Sequence, residues 1–296
     1  MKSRIMNHYF ILAIAVFSVS TSAVIVKLSS APSGVIAFYR LFFSVIIMLP
    51  FVLKYMFEFR TIKKKDWLYA FFAGFCLAFH FILWFESLNY TSVASSTVLV
   101  TLQPLFAFAG TYLFFHERFS WKAIFSGAFA ILGSIIISWG DVQISGAALF
   151  GDLLAFIACA LITLYLMIGQ AVRKRLSLIT YTFVVYFFSM ITLFGYVLYR
   201  QESFFFYGRN EWFYFILLAL VPTLLGHTLF NWALKWLSTS TISMAILFEP
   251  VGAAILAYFL LKEYVLWSQF VGGIIVITGI AFFLFDKERM PLSNKE

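Results

Sequence analysis

Residues 85–133, FESLNYTSVASSTVLVTLQPLFAFAGTYLFFHERFSWKAIFSGAFAILG, decide the fold, because residues 231–279, NWALKWLSTSTISMAILFEPVGAAILAYFLLKEYVLWSQFVGGIIVITG, return their pattern at a shift of 146. Pro104 recurs as Pro250, Glu117 as Glu263, Trp121 as Trp267, Gly127 as Gly273 and Gly133 as Gly279. In each copy a serine- and threonine-rich entry (Ser92, Ser95, Ser96; Ser238, Ser240, Thr241) leads through Gln103-Pro104 or Glu249-Pro250 into an apolar run that ends at the repeated glutamate. A second run with an aromatic head follows. Upstream the echo continues at a shift of 145, where Phe42-Phe43-Ser44 matches Phe187-Phe188-Ser189. Self-similarity on this scale marks a duplicated structural unit.

The unit is built for a bilayer. With 63% hydrophobic and 11% charged residues over 296 positions, the chain departs from water-soluble globules, in which about a quarter of residues are charged. Apolar stretches near the length of about 20 residues that crosses a membrane fall at 8–28, 35–57, 68–87, 93–115, 121–139, 151–170, 178–199, 212–234, 240–261 and 266–285. Five crossings per repeat is an odd number, so the second copy is expected upside down relative to the first. The expected fold is an all-α membrane protein of ten transmembrane helices in two inverted five-helix repeats, 1–139 and 140–285, followed by a polar cytoplasmic tail, 286–296.

Lys2 and Arg4 ahead of the first apolar run, with Ser22-Ala23 behind it, imitate a secretory signal. Cleavage there would remove the counterpart of the sixth span, so a retained helix is the better reading. Cys76 and Cys159 both fall inside predicted spans and have no metal-ligand spacing, which leaves them as packing residues and predicts no bound metal or other cofactor. The connecting loops are too short for a folded extramembrane domain.

The formal charge of +8 is distributed by side. If the N-terminus is inside, the inner segments carry sixteen lysines and arginines and the outer ones carry Lys27, Arg200, Arg209 and Lys262. That asymmetry places both termini in the cytoplasm of a multi-pass cell-membrane protein, with the Glu117 loop internal and the Glu263 loop external. Basic loops such as Lys63-Lys64-Lys65 then orient helices and meet anionic lipid, with no nucleic-acid partner. Trp67, Trp121, Trp139, Trp212, Trp236 and Trp267 sit near predicted span ends, where an indole straddles the headgroup boundary. Trp84 and Trp232 lie deeper, beside polar residues.

Ionisable groups inside a membrane are costly, so the few present carry most of the information. Thr223, His227, Asn231 and Lys235 follow at intervals of four and would stack on one helical face. That face either makes a hydrogen-bonded helix contact or lines a cavity. His80, Trp84 and Ser87 share a face of the third span, whereas Glu86 and Asn89 share another and stand near the outer boundary. Glu249 lies beside Pro250, which frees the Ile246 carbonyl and is expected to kink the ninth span. Its carboxyl group is either a protonated member of the bundle or a substrate or proton site; Gln103-Pro104 is the uncharged counterpart. Arg40 in the second span either snorkels outward or needs an anion, with Glu249, Glu86 and a substrate carboxylate as candidates. Glu117 and Glu263 are read as turn-orienting residues and Asp152 as the N-cap of the sixth span. Small residues around Gly252, Gly272-Gly273 and Gly279 allow close helix approach.

This arrangement, with Arg40 in the second span, Pro104 and Pro250 in the fourth and ninth, and the Glu117 and Glu263 turns followed by paired glycines, resembles the EamA-type branch of the drug/metabolite transporter superfamily over residues 8–285. The resemblance implies a central cavity lined by spans one to four and six to nine, with the fifth and tenth as scaffold. It also implies export or facilitation of amino acids and other small metabolites. On that basis Arg40, His80, Trp84, His227, Asn231 and Glu249 are the expected substrate-binding residues, and Glu249 is also the expected coupling residue.

The function read from this is secondary transport, as export, of a small polar or amphipathic, amino-acid-like metabolite by alternating access. The chain has no G-x-x-x-x-G-K-[ST] loop, so a proton or substrate gradient is the expected energy source. Two other classes fit less well: an intramembrane enzyme would need a nucleophile with a base or paired histidines, and a channel would need a ring of like groups. No catalytic residues are therefore assigned. Beyond substrate, lipid and protons, a second copy of the chain is an admissible partner.

Overall fold

The computed structural model describes residues 2–139, 146–262 and 267–289, and among them every regular element is a helix. Helical segments occupy all ten expected stretches. Eight, His8–Leu28, Ser33–Leu53, Lys64–Ser87, Val93–Phe115, Ala147–Val172, Leu178–Tyr199, Arg209–Ala233 and Thr239–Leu260, are long and apolar enough to cross a membrane, and two, Trp121–Ile136 and Phe270–Phe283, are shorter. Glu263 and the tail beyond Arg289 lie outside the described residues.

Several crossings are discontinuous. The first consists of α1 (Lys2–Ser20) and α2 (Ser22–Leu28), which meet at Thr21. The second is α3 (Ser33–Leu53), followed by the short α4 (Met56–Phe59) and then α5 (Lys64–Ser87). The fourth divides into α6 (Val93–Thr101) and α7 (Gln103–Phe115); α8 (Trp121–Trp139), α9 (Gly146–Val172) and α10 (Leu178–Tyr199) follow. The eighth runs from α11 (Arg209–Leu218) through a π-helical stretch, Ala219–His227, into α12 (Thr228–Ala233). The ninth divides into α13 (Thr239–Ile246) and α14 (Glu249–Leu260), and α15 (Trp267–Arg289) ends the described chain.

Proline explains the divisions in the fourth and ninth crossings more sharply than a kink does. Pro104 and Pro250 are each the second residue of a new helix, where the missing N–H has no intrahelical acceptor to lose. The chain therefore stops at Leu102 or at Leu247-Phe248 and restarts at Gln103 or Glu249. The expected bent ninth helix is thus two half-helices, with Glu249 at the head of the second. Both divided crossings begin alike, on Ser92 and Ser238 in extended conformation, with φ/ψ of −70°/160° and −75°/159°.

In the eighth crossing Pro222 coincides with a change of hydrogen-bond register, which is one way a helix accommodates an interior proline. Thr223 and Thr228 follow that wider register, donating their hydroxyls to the carbonyls five residues back, Leu218 at 2.8 Å and Thr223 at 3.3 Å. Residues 223, 227, 231 and 235 consequently do not form one stripe. Lys235 leaves it altogether and is exposed, with its ammonium 5.6 Å from the Trp236 ring.

Packing without water depends on close approach of helices. α8 and α15 lie against each other on the repeated glycines: a Cβ on Gly133 would stand 2.8 Å from the Gly272 carbonyl oxygen, and one on Gly279 would stand 2.7 Å from Ala130 Cβ. Gly252 faces another helix, with Ser20 Oγ 2.5 Å from where its Cβ would be. Phe125, Leu132, Phe259 and Phe282 remain exposed on these outer helices, as expected of side chains that meet acyl chains.

Polar clasps tie the ends of the bundle together. Arg175 donates to Asp66 at 2.5 Å, while Glu58 accepts from the Ser177 amide at 2.7 Å and from the Thr180 hydroxyl at 2.5 Å. At the far end of α3, Glu211 accepts from the Ser30 amide at 3.0 Å, from the Ser30 hydroxyl at 2.9 Å and from Ser29. Glu117 does more than orient its own turn, because it accepts from Ser238 at 2.8 Å and Ser240 at 2.7 Å and so secures the entry to α13. Asp152 is not an N-cap: α9 begins at Gly146 and carries Asp152 within its length.

Candidate functional site

The interruptions converge on a small cavity in the middle of the bundle. Ser22 reaches it from the break in the first crossing, His80 and Trp84 from α5, Gln103 from the head of α7, His227 from the end of the π-helical stretch, and Glu249 from the head of α14. Val19, Val100, Ile162, Leu166, Phe230 and Ile246 supply the apolar wall. The space amounts to about 20 Å³, room for one water molecule.

Arg40 stands behind this wall and is entirely buried, so it does not snorkel. Its Nε donates to Thr223 at 2.6 Å and its Nη1 to Ser22 at 2.8 Å, while its Cζ lies 4.2 Å from the centre of the Phe81 ring. Among the described residues no carboxylate forms an ion pair with it, and Nη2 has no partner. Glu86 is excluded as that partner because it sits at the end of α5, where Asn89 donates to it at 3.3 Å. A full positive charge is therefore held in the bundle by two hydroxyls and an aromatic face, an arrangement that favours a nearby anion.

The cavity is also rich in unsatisfied polar atoms. Trp84 Nε1, His227 Nδ1 and Gln103 Oε1 are buried without a hydrogen-bond partner. His80 is oriented by a 3.0 Å contact from Nδ1 to the Ala158 carbonyl, which makes Nδ1 the donor and leaves Nε2 as an acceptor; its ring stacks on Trp84 at 5.7 Å and lies 6.5 Å from that of His227. Glu249 and Gln103 are the first residues of α14 and α7, so both half-helices begin at the same space. Buried polar groups are normally paired. A cluster of unpaired ones around a void is completed by water or by a polar ligand.

Four of the expected site residues, His80, Trp84, His227 and Glu249, line the cavity, and Arg40 joins it through Ser22. Asn231 does not. The π-helical register turns it away, and its amide donates to the Tyr165 hydroxyl and, at 2.9 Å, to the His227 carbonyl, while Arg173 Nε donates to the Asn231 backbone carbonyl at 2.9 Å. It positions the helix that carries His227. Trp232 is also outside the cavity, packed 4.4 Å from the Trp236 ring and 5.3 Å from His8. Ser22 and Gln103 are site residues beyond the expected set: along the chain Ser22 falls in a signal-like flank, and Gln103 is the uncharged copy of Glu249. Position 146 residues before Glu249 was the usable signal for Gln103. Among the described residues no three His, Cys, Asp or Glu side chains are grouped to hold a metal.

A helical membrane bundle with broken crossings around a polar central site defines a transport protein in architecture. The EamA-like transporter family model matches twice, over residues 6–139 and 149–285, and the chain belongs to that family. Among curated relatives, an uncharacterized transporter of Archaeoglobus fulgidus is 23% identical over 83% of this chain and 84% of its own. The uncharacterized transporter YetK of Bacillus subtilis is 24% identical over 97% of this chain and 89% of its own. A solved crystal structure shares the fold with a TM-score of 0.75, covering 96% of this chain and 99% of that one at 14% identity.

Proposed function

We propose that the protein is a secondary exporter of a small amphipathic metabolite carrying a carboxylate and an amino group, bound in the central cavity. The observation that carries this reading is a cavity lined by Glu249, Gln103 and Trp84, with Arg40 behind its wall, bonded to the lining residue Ser22 and without an ion-pair partner among the described residues. The carboxylate of an amino-acid-like substrate is placed toward Arg40, the Trp84 N–H and the half-helix N-termini. Its amino group is placed at Glu249 and Gln103 Oε1, and the apolar wall takes its side chain.

A 20 Å³ cavity is far below the several hundred Å³ of a metabolite pocket. Binding therefore requires the lining helices to separate, and the small cavity supports reading this structure as the contracted, substrate-free form of an alternating-access cycle. Two repeats of opposite orientation supply the two ways of opening. The charge asymmetry supports a topology with both termini in the cytoplasm. Cysteine labelling at Glu117 from the cytoplasmic side is the expected result; labelling there only from outside would reverse the topology.

Glu249 is assigned the coupling role because it lies in the cavity without a hydrogen-bond partner among the described residues. A proton and an incoming ammonium each neutralise this carboxylate, so proton and substrate compete for it. The test is transport of an amino-acid panel by proteoliposomes under imposed pH gradients. Saturable flux whose pH dependence disappears in Glu249→Gln is expected. Wild-type flux and pH dependence in Glu249→Gln would remove coupling from this residue, and non-saturating ion conductance alone would overturn the transport reading.

A further inference from the structure

A second concavity lies beside the central one, on the outer surface of the bundle. Tyr9, Leu12, Val16 and Phe17 of α1, Ala245 and Phe248 of the ninth crossing, and Ile277 and Ile280 of α15 enclose about 250 Å³ with an almost wholly apolar lining. All its walls belong to apolar helices at membrane depth, so its mouth opens onto acyl chains. His8, the neighbour of Tyr9 in α1, stacks its ring on Trp236 at 4.8 Å, and Trp236 in turn lies 5.6 Å from the Lys235 ammonium. Lys235 makes no ion pair among the described residues. An apolar slot inside the bilayer thus ends at an aromatic platform bearing an uncompensated positive charge.

We propose that this groove and platform bind one anionic phospholipid, with an acyl chain between α1, α13 and α15 and its phosphate beside Lys235. The charge at one end selects the occupant: a helix of a second copy would fill the slot without calling for a cation, whereas a phosphate satisfies the ammonium and the platform sits where headgroups lie. The groove is one residue from the transport cavity. Phe17 and Phe248 line the groove and meet edge-on at 5.4 Å, and Phe248 immediately precedes the cavity residue Glu249 at the break in the ninth crossing. A chain lodged against Phe248 restrains that break, so the lipid stabilises the contracted site.

The test uses the full-length protein, delipidated in detergent and titrated with phosphatidylglycerol or phosphatidylcholine under native mass spectrometry. In parallel, phosphatidylglycerol with a photoactivatable acyl chain is cross-linked in nanodiscs. One phosphatidylglycerol is expected to bind about fivefold more tightly than phosphatidylcholine, the ratio a single surface lysine supplies, with the label on α1 and α13 peptides. Lys235→Gln is expected to erase the headgroup preference and keep the acyl label. Ala13→Phe, at an exposed position that lines the groove, is expected to remove the label while the protein still purifies as folded monomer or native oligomer. Equal binding of both lipids, or labelling confined to other surfaces, would overturn the proposal. So would efficient disulfide formation between two copies through Ala13→Cys, which would make the groove a protein–protein contact.

Discussion

Asp66 and Glu211 stand 145 residues apart in sequence and close opposite ends of the bundle. Asp66 opens α5 and receives the Arg175 guanidinium, with Nη2 at 2.5 Å and Nε at 3.1 Å from Oδ1. Glu211 opens α11 and receives the amide and hydroxyl of Ser30, which is the position 145 residues before Arg175. Acid and partner therefore transpose together. The 21-residue α3, about 30 Å long at 1.5 Å per residue, separates the two clasps, since Ser30 precedes its start and Asp66 follows its end. One clasp is a charge pair and the other is a carboxylate held by neutral donors.

This asymmetry predicts unequal gates. The ion pair is half-exposed on the arginine side and is worth at most about 1 kcal/mol, so Arg175→Ala is expected to raise the population open at that end by up to about fivefold. Labelling of Val100→Cys from the Arg175 side should accelerate accordingly, and high salt should reproduce the effect in the parent protein. The reciprocal change, Glu211→Gln, should accelerate labelling from the opposite side with little salt dependence. Unchanged labelling in both variants would show the clasps to be static.

Arg40→Lys is expected to weaken substrate binding at least tenfold with the fold retained. A lysine keeps the charge but has no planar fork to serve Ser22 and Thr223 together or to stack on Phe81. The expected signature is a raised KM with a smaller change in maximal rate. An unaltered KM would make Arg40 purely structural.

Gly133→Ala should cost about 1–3 kcal/mol through overpacking, because its new Cβ would press against backbone atoms of α15 2.8 Å away. Thermal unfolding in detergent measures it. Gly195→Ala, where no atom lies within 4 Å of the position, is the matched control and should leave the midpoint unchanged or slightly raised.

Acid should loosen the Glu58 clasp. Partial burial works against ionisation of this carboxyl group, but the donors from Ser177 and Thr180 outweigh it and hold the group below its ordinary value of 4.5. A depressed folded value means that stability from this group is present above pH 4.5 and is lost as the pH falls through the lower folded value. Hydrogen exchange at the Ser177 amide should therefore be slow near neutrality. It should quicken, relative to the intrinsic rate, only below about pH 4.5, and Glu58→Gln should abolish that dependence.

Much of this architecture was legible in the chain because it rests on local or periodic chemistry. Stretches of apolar residues located the crossings, and a repeated proline located the restarts at Gln103 and Glu249. Small residues such as Gly279 marked faces of close helix approach, although only the fold shows that α15 meets α8 there. Each of these signals needs only neighbouring residues, or copies at a fixed shift, to be read. The candidate site was legible only in part: Glu249, His80, Trp84 and His227 were visible as polar groups where polarity is costly.

Other features depended on how helices rotate against one another. The four-residue spacing from Thr223 to Lys235 assumed an α-helix throughout. The π-helical register around Pro222 instead sends Thr223 to Arg40, His227 to the cavity and Asn231 to Tyr165. Arg40 had three acidic candidates in sequence, yet the fold gives it two hydroxyls and a phenyl ring. Ser22 has no chemical distinction along the chain and acquires its place because the first crossing breaks beside it. Sequence by itself determined which residues must leave water and where proline interrupts the fourth and ninth crossings, since those follow from side-chain polarity and backbone covalency. Only the tertiary structure decided which polar groups meet, because that depends on helix phase, and a single change of hydrogen-bond register resets the phase for every residue beyond it.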